Sequence, residues 1–149
     1  MKNGPVLILP NHRSYMDFLI VSYIFFFADV PVPAIAAGAD FLSLGPVTWL
    51  LRRCGAFFMR RSFKEDPLYW ACFSEYVQEI VGNGDQPLEF FIEGTRSRVG
   101  KSLHPKVGLM GAALRPFFEG CGNVDIALDR VLRTSQLFTT THMPYGMIY

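Results

Sequence analysis

The stretch Val6-Leu7-Ile8-Leu9-Pro10-Asn11-His12-Arg13-Ser14-Tyr15-Met16-Asp17 decides the fold class of this chain. Four consecutive apolar residues closed by a proline have the pattern of a strand buried on both faces, as in a parallel sheet. Pro10 to Arg13 then makes a non-helical corner, and Ser14 is placed to cap a helix running to about Ala28. The corner matters for chemistry. A five-residue step inside one helix would set His12 and Asp17 about 140° apart, on different faces. They meet only if His12 lies in the loop and Asp17 in the first turns of the helix. A carboxylate on one imidazole nitrogen fixes the tautomer and stabilises the imidazolium, leaving the other nitrogen as a general base. Taken alone, the same residues also fit a histidine bonded to a capping carboxylate for purely structural reasons.

Working outward, strand and helix patterns alternate. Val30-Pro31-Val32-Pro33 is an extended connector, because proline disfavours helix in the residue before it. Ala34 to Ala37 is a short strand. Phe41 to Arg53 is a helix that kinks or starts late at Pro46. Gly55 to Met59 is another buried strand. Asp66-Pro67 supplies a cap and first turn. Tyr69, Cys72, Phe73, Tyr76, Val77 and Ile80 follow at three- and four-residue steps, the stripe of an amphipathic helix ended by Gly82 to Asp85. Leu88 to Ile92 is the clearest strand, Val107 to about Phe118 a helix, and Val124 to Leu128 could add one more strand. The prediction is an α/β domain with a mostly parallel sheet flanked by helices. Residues 1–120 form its core, and 121–149 a divergent tail expected to be poorly ordered.

Composition narrows the function classes. The chain of 149 residues is long enough for one domain with a real core. Charged residues make up 18%, below the usual quarter or so, and mean hydropathy is +0.23, which leans toward contact with lipid or a partner. Net charge is only +1, yet five Lys and Arg fall between Arg52 and Lys64, and four between Arg96 and Lys106. Two basic clusters on a nearly neutral chain suit localised anion binding and not nucleic acid. Cys54, Cys72 and Cys121 show no metal spacing, and so sparse a set fits a reducing compartment. The most apolar run, Phe18 to Ala28, is too short to span a bilayer, which takes about 20 residues.

Two further constellations stand at predicted strand ends, where chemistry gathers in open α/β sheets. Gly55-Ala56-Phe57-Phe58-Met59-Arg60-Arg61 delivers two adjacent guanidinium groups, suited to phosphate through parallel hydrogen bonds. Glu89-Phe90-Phe91-Ile92-Glu93-Gly94-Thr95-Arg96-Ser97-Arg98 combines a strand, an acid, a glycine turn and alternating basic and hydroxyl residues, a plausible anion cradle. Each has a plain alternative, a solvated strand end or an ordinary salt bridge.

In order and spacing the three blocks resemble the glycerol-phosphate acyltransferase family, whose motifs are His-x4-Asp, Gly-x-x-Phe-x-Arg and Phe-x-Glu-Gly-Thr-Arg-Ser. The matches at Asn11 to Phe18, Ala36 to Gly38, Gly55 to Phe63 and Glu93 to Arg98 look like one branch. It holds the dihydroxyacetone phosphate (glycerone phosphate) acyltransferases and the large glycerol-3-phosphate acyltransferases; Thr95 and the Lys101 to Gly108 stretch tilt toward the former. The resemblance covers about Pro5 to Phe118.

It implies His12 as catalytic base with Asp17 as partner, and Arg60, Glu93, Gly94, Thr95, Arg96 and Ser97 as substrate-binding residues. Arg61 and Arg98 are basic neighbours, possible phosphate-binding positions. The reaction implied is transfer of a fatty acyl group from acyl-CoA to dihydroxyacetone phosphate, the first step of ether-lipid synthesis. Glycerol-3-phosphate is the alternative acceptor. No cofactor or metal is implied, acyl-CoA being a co-substrate, and Ser14, Ser97 and Cys54 are not nucleophiles, there being no Gly-x-Ser-x-Gly elbow. His104 and His142 read as surface or loop residues.

The implied location is intracellular and peripheral, at the peroxisomal membrane, although the chain ends Met-Ile-Tyr and carries no peroxisomal tripeptide. The helix around Trp49, Leu50, Arg52 and Arg53 has the composition of a headgroup-level contact. The family's fourth block, a strand with a proline that helps bind acyl-CoA, is expected after Phe118. Val124 to Leu128 stands there without a proline, so the core is expected to be incomplete on its C-terminal side. A competing expectation is therefore a truncated, non-catalytic form that keeps only phosphate or membrane-surface binding.

Overall fold

The computed structural model describes residues 5–14, 16–63, 66–83, 85–119, 125–127 and 140–141. The apolar run at Val6–Ile8 is strand β1, and Asp17–Phe27 is helix α1. Strand β2 (Ala34–Gly38) leads into a 3-10 helix (Ala39–Leu44), helix α2 (Pro46–Arg53) and strand β3 (Ala56–Met59). Helix α3 (Pro67–Asn83), strand β4 (Leu88–Glu89) and helix α4 (Val107–Phe118) follow. Short strands β5 (Asp125–Ala127) and β6 (Thr140–Thr141) complete the sheet.

The strand order is β3-β2-β4-β1-β5-β6. The first five are parallel, and β6 runs antiparallel to β5. The expected α/β architecture is therefore present. Register places Leu7 beside Leu88 and Ile8 beside Glu89, so the β1 and β4 exits are neighbours. The strand expected within Val124 to Leu128 is β5, paired with β1 on the side away from β4.

Period-two alternation sends successive strand residues to opposite layers. Leu7, Leu9, Ala34, Leu88 and Phe90 face Phe73, Val77 and Val81 of α3 and Leu109, Ala112 and Ala113 of α4. Ile35 and Ala56 face the other layer with Leu51 of α2, bordered by Phe18 and Phe41. Each fully buried side chain of this size contributes about 1.5–3 kcal/mol, so the α3/α4 layer holds most of the stability. Gly55, at the turn into β3, has φ +88°, and a Cβ there would lie 2.9 Å from the Pro33 carbonyl oxygen. Only glycine permits that approach of loop to strand.

Three local expectations shift, and one, the late helix start at Pro46, is met. Helix α1 begins at Asp17 with Met16, not Ser14, at its cap; the Ser14 hydroxyl instead accepts from the Met16 N–H at 3.1 Å. The Phe41 to Arg53 helix is two pieces, because Gly45 takes φ +48° and Pro46 starts α2 with its preset φ. Pairing in β4 stops at Glu89, although the Phe90 N–H still reaches the Ile8 carbonyl at 3.1 Å. The α3 stripe is rotated onto Phe73, Ser74, Val77 and Val81, leaving Cys72 and Tyr76 exposed, since α3 must serve the sheet and α4 together.

Cys54 is half-buried and not in a disulfide, His104 is exposed, and Cys121 and His142 lie outside the described residues, as does most of 121–149. Among the described residues no helix is long and apolar enough to cross a membrane.

Candidate active site

The β1–α1 corner is built around the Asp17 carboxylate. Because the chain leaves β1 through Pro10 and turns before α1, Asp17 in the first helical turn faces back toward the loop. Its Oδ2 accepts the backbone N–H groups of Arg13 and Ser14, each at 2.7 Å, and lies 3.2 Å from His12 Nδ1. Asp17 is 1% exposed, so these donors replace water around its charge. The imidazole is held at Nδ1, leaving Nε2 as the nitrogen to take a proton. Its ring stacks on Phe91 at 4.2 Å between centroids, which fixes the ring plane as well as its edge.

The third block folds over the same corner. After Phe90 the chain turns, with the Gly94 N–H on the Phe91 carbonyl at 2.8 Å and φ +63° at Gly94. The Ser97 N–H then donates to the His12 carbonyl at 3.0 Å. That bond ties the Glu93 to Ser97 loop to the histidine itself. Glu93 and Ser97 are 3% and 5% exposed, and Glu93 Oε2 and Ser97 Oγ have no hydrogen-bond partner among the described residues. Buried acceptors and hydroxyls rarely stay unpaired, so such groups mark a place where a polar ligand fits. Arg96 is half-buried, while Gly94, Thr95 and Arg98 are exposed.

A protein-family model described as acyltransferase matches residues 1–127. The chain belongs to the acyltransferase family. The dihydroxyacetone phosphate acyltransferase of Bos taurus is 56% identical over 138 residues, covering 89% of this chain and 20% of that protein. The one from Homo sapiens is also 56% identical, over 119 residues, or 80% of this chain and 18% of that protein. The glycerol-3-phosphate acyltransferase of Ectopseudomonas mendocina (strain ymp) is 47% identical over 112 residues, or 75% of this chain and 13% of its own length. The chain thus spans about a fifth or less of the curated relatives it matches.

The arginines of the second block sit apart from this corner. They share the carboxyl edge of the sheet, but β3 is three strand positions from β1. At about 4.8 Å per strand, that is roughly 14 Å. The Arg60 guanidinium pairs with Asp66 at 2.9 Å and lies 4.5 Å from the Tyr69 ring centroid. Arg61 pairs with Asp40. Asp66 is the cap of α3, accepting the Tyr69 N–H at 2.9 Å. That backbone bond, and then Arg60, hold its carboxyl below the ordinary 3.8. The structure therefore brings together His12, Asp17 and the Glu93 to Ser97 loop, and leaves Arg60 and Arg61 at the exposed sheet edge.

Phe91 was not legible as a site residue. Alternation along β4 does separate it from buried Phe90, but only the pairing of β4 with β1 sets it under the imidazole. Among the described residues no His, Cys, Asp and Glu cluster could hold a metal ion.

Proposed function

We propose that this chain carries the catalytic core of an acyl-CoA-dependent O-acyltransferase whose acceptor is dihydroxyacetone phosphate. The observation that carries it is the His12–Asp17 pair with Asp17 buried and triply bonded, a base held ready at the exit of a central strand. His12 Nε2 takes the proton of the acceptor hydroxyl as its oxygen attacks the thioester carbonyl. The carbon–sulfur bond then breaks, and the departing CoA thiolate regains the proton from the imidazolium. Glu93, Gly94, Thr95, Arg96 and Ser97 bind the acceptor beside that base, and Arg60, with Arg61 and Arg98, supplies positive charge around it. A thioester is already activated, so the step needs no metal. Residues 1–120 constitute this core, with β5 extending its sheet.

The higher identity to dihydroxyacetone phosphate acyltransferases supports that acceptor, and with it a role at the start of ether-lipid synthesis and a peroxisomal membrane location. The 47% identity to a bacterial glycerol-3-phosphate acyltransferase supports the second acceptor. A third reading is binding of phosphate or a membrane surface without turnover. One experiment separates them: acyl transfer from palmitoyl-CoA by the chain, offered each acceptor in turn. Faster product formation with dihydroxyacetone phosphate is expected. Preference for glycerol-3-phosphate selects the second reading, and absence of transfer to either overturns the enzymatic one.

Attachment to membranes follows as a peripheral contact through α2. Trp49 and Leu50 are 58% and 50% exposed there, and the Arg53 guanidinium lies 4.5 Å from the Trp49 ring centroid. Exposed aromatic and aliphatic groups beside two arginines suit the boundary of an anionic bilayer.

A further inference from the structure

Lys106 belongs to neither the catalytic pair nor the acyltransferase motif residues, yet it is built into the loop that carries them. Its backbone N–H donates to the Ile92 carbonyl at 2.7 Å, which fastens the start of α4 to the turn after β4. Its side chain then lies across Gly94. A Cβ on Gly94 would sit 2.7 Å from Lys106 Cδ and 3.5 Å from Nζ. The bare glycine at φ +63° thus provides both the turn and the space the lysine fills.

The charge at the end of that side chain is not consumed. Among the described residues the Lys106 ammonium has no ion pair. The first turn of α4, which begins at the next residue, contains no acidic side chain either. The positive end of a helix therefore adds to the lysine charge instead of offsetting it. Arg60 and Arg61 differ, for each already has a carboxylate partner.

We propose that Lys106 is a phosphate-binding residue of the acceptor site, holding the phosphate over the Gly94 turn while His12 acts on the hydroxyl. The inference rests on the proposed acceptor and names the cation that recognises it. A compact ammonium on a flexible stem is well suited to a phosphate approaching from solvent.

The test is direct binding to the chain by isothermal titration calorimetry, with dihydroxyacetone phosphate and free CoA as separate ligands. Lys106→Ala should weaken dihydroxyacetone phosphate about tenfold to a hundredfold, as expected for one charge-assisted contact. Lys106→Arg should lose less, because it keeps the charge, and CoA binding should stay within twofold in both. Gly94→Ala should also weaken the phosphate ligand by displacing the lysine. Unchanged affinity in a folded Lys106→Ala protein, an equal loss for CoA, or no binding by the wild type would each overturn the proposal. Should Lys106→Ala fail to fold, Lys106→Gln gives the same reading. Acyl transfer is a separate measurement: binding through Lys106 without turnover would refute the enzymatic reading and leave this one standing.

Discussion

At the end of β1 the candidate side chains are enclosed: Asp17 is buried, bound by two backbone N–H groups and one imidazole, and the imidazole is backed by Phe91. At the α2–β3 edge the charged groups stand in solvent. Arg60 and Arg61 are 58% and 63% exposed in their side chains, pairing with surface carboxylates, and Arg52 and Arg53 lie over Phe58 and Trp49. The first arrangement is fixed by two backbone donors and one imidazole converging on a buried carboxylate. The second has many geometries, because an exposed ion pair is worth little and long side chains re-pair easily. Proton transfer depends on sub-ångström placement, whereas attracting a phosphate or a headgroup only requires charge in the right region. On the proposed reading, the two regions match those different demands.

If the contrast is right, the largest single effect belongs to the enclosed region. His12→Ala should lower acyl transfer by about 10²–10⁴-fold, with circular dichroism and thermal midpoint close to wild type. Normal turnover by that variant would remove the reason for regarding the corner as a base.

Asp17→Ala should harm folding as well as activity. It strands the Arg13 and Ser14 N–H groups and His12 Nδ1, and a buried unsatisfied group costs about 1–3 kcal/mol. A urea titration should therefore show a loss of several kcal/mol, with Asp17→Asn losing less because one oxygen remains to accept. Arg60→Ala, by comparison, should stay within about 0.5 kcal/mol of wild type, as surface substitutions do. Similar losses for Asp17→Ala and Arg60→Ala would erase the distinction between the regions.

At the exposed edge, Trp49→Ser with Leu50→Ser should reduce co-sedimentation with anionic phosphatidylserine vesicles several-fold, leaving the fold intact by circular dichroism. Equal pelleting of the two folded proteins would mean that α2 is not the membrane contact.

The smallest expected effect is a pH dependence at the β3 edge. The folded-state pKa of Asp66 lies below its ordinary 3.8, so its stabilising contribution is full above that value. It is lost as pH falls through the lower, folded value. Wild type should therefore melt slightly above Asp66→Asn at pH 7, and the gap should close in strongly acidic buffer. A gap that widens on acidification would contradict the ion pair.

Much of this molecule was determined by local sequence. The run Val6 to Leu9, the corner at Pro10 and the break at Pro46 are statements about a few adjacent residues, and steric and burial rules act at that range. So is the closeness of His12 to Asp17, which needs only one loop and one helical turn. Other features had no local signal. Insertion of β4 between β2 and β1 sets Phe91 under His12 and ties Ser97 to the histidine carbonyl. The α3 stripe turned away from Cys72 because the helix packs on the sheet and α4 at once. Arg60 met Asp66 at the cap of the following helix, and Lys106 crossed Gly94 from twelve residues away. Periodicity is a property of neighbours in the chain, so it can be read along the sequence. Which strands lie side by side, and which charges then meet, is decided by burial among residues far apart, and only the tertiary structure settles it.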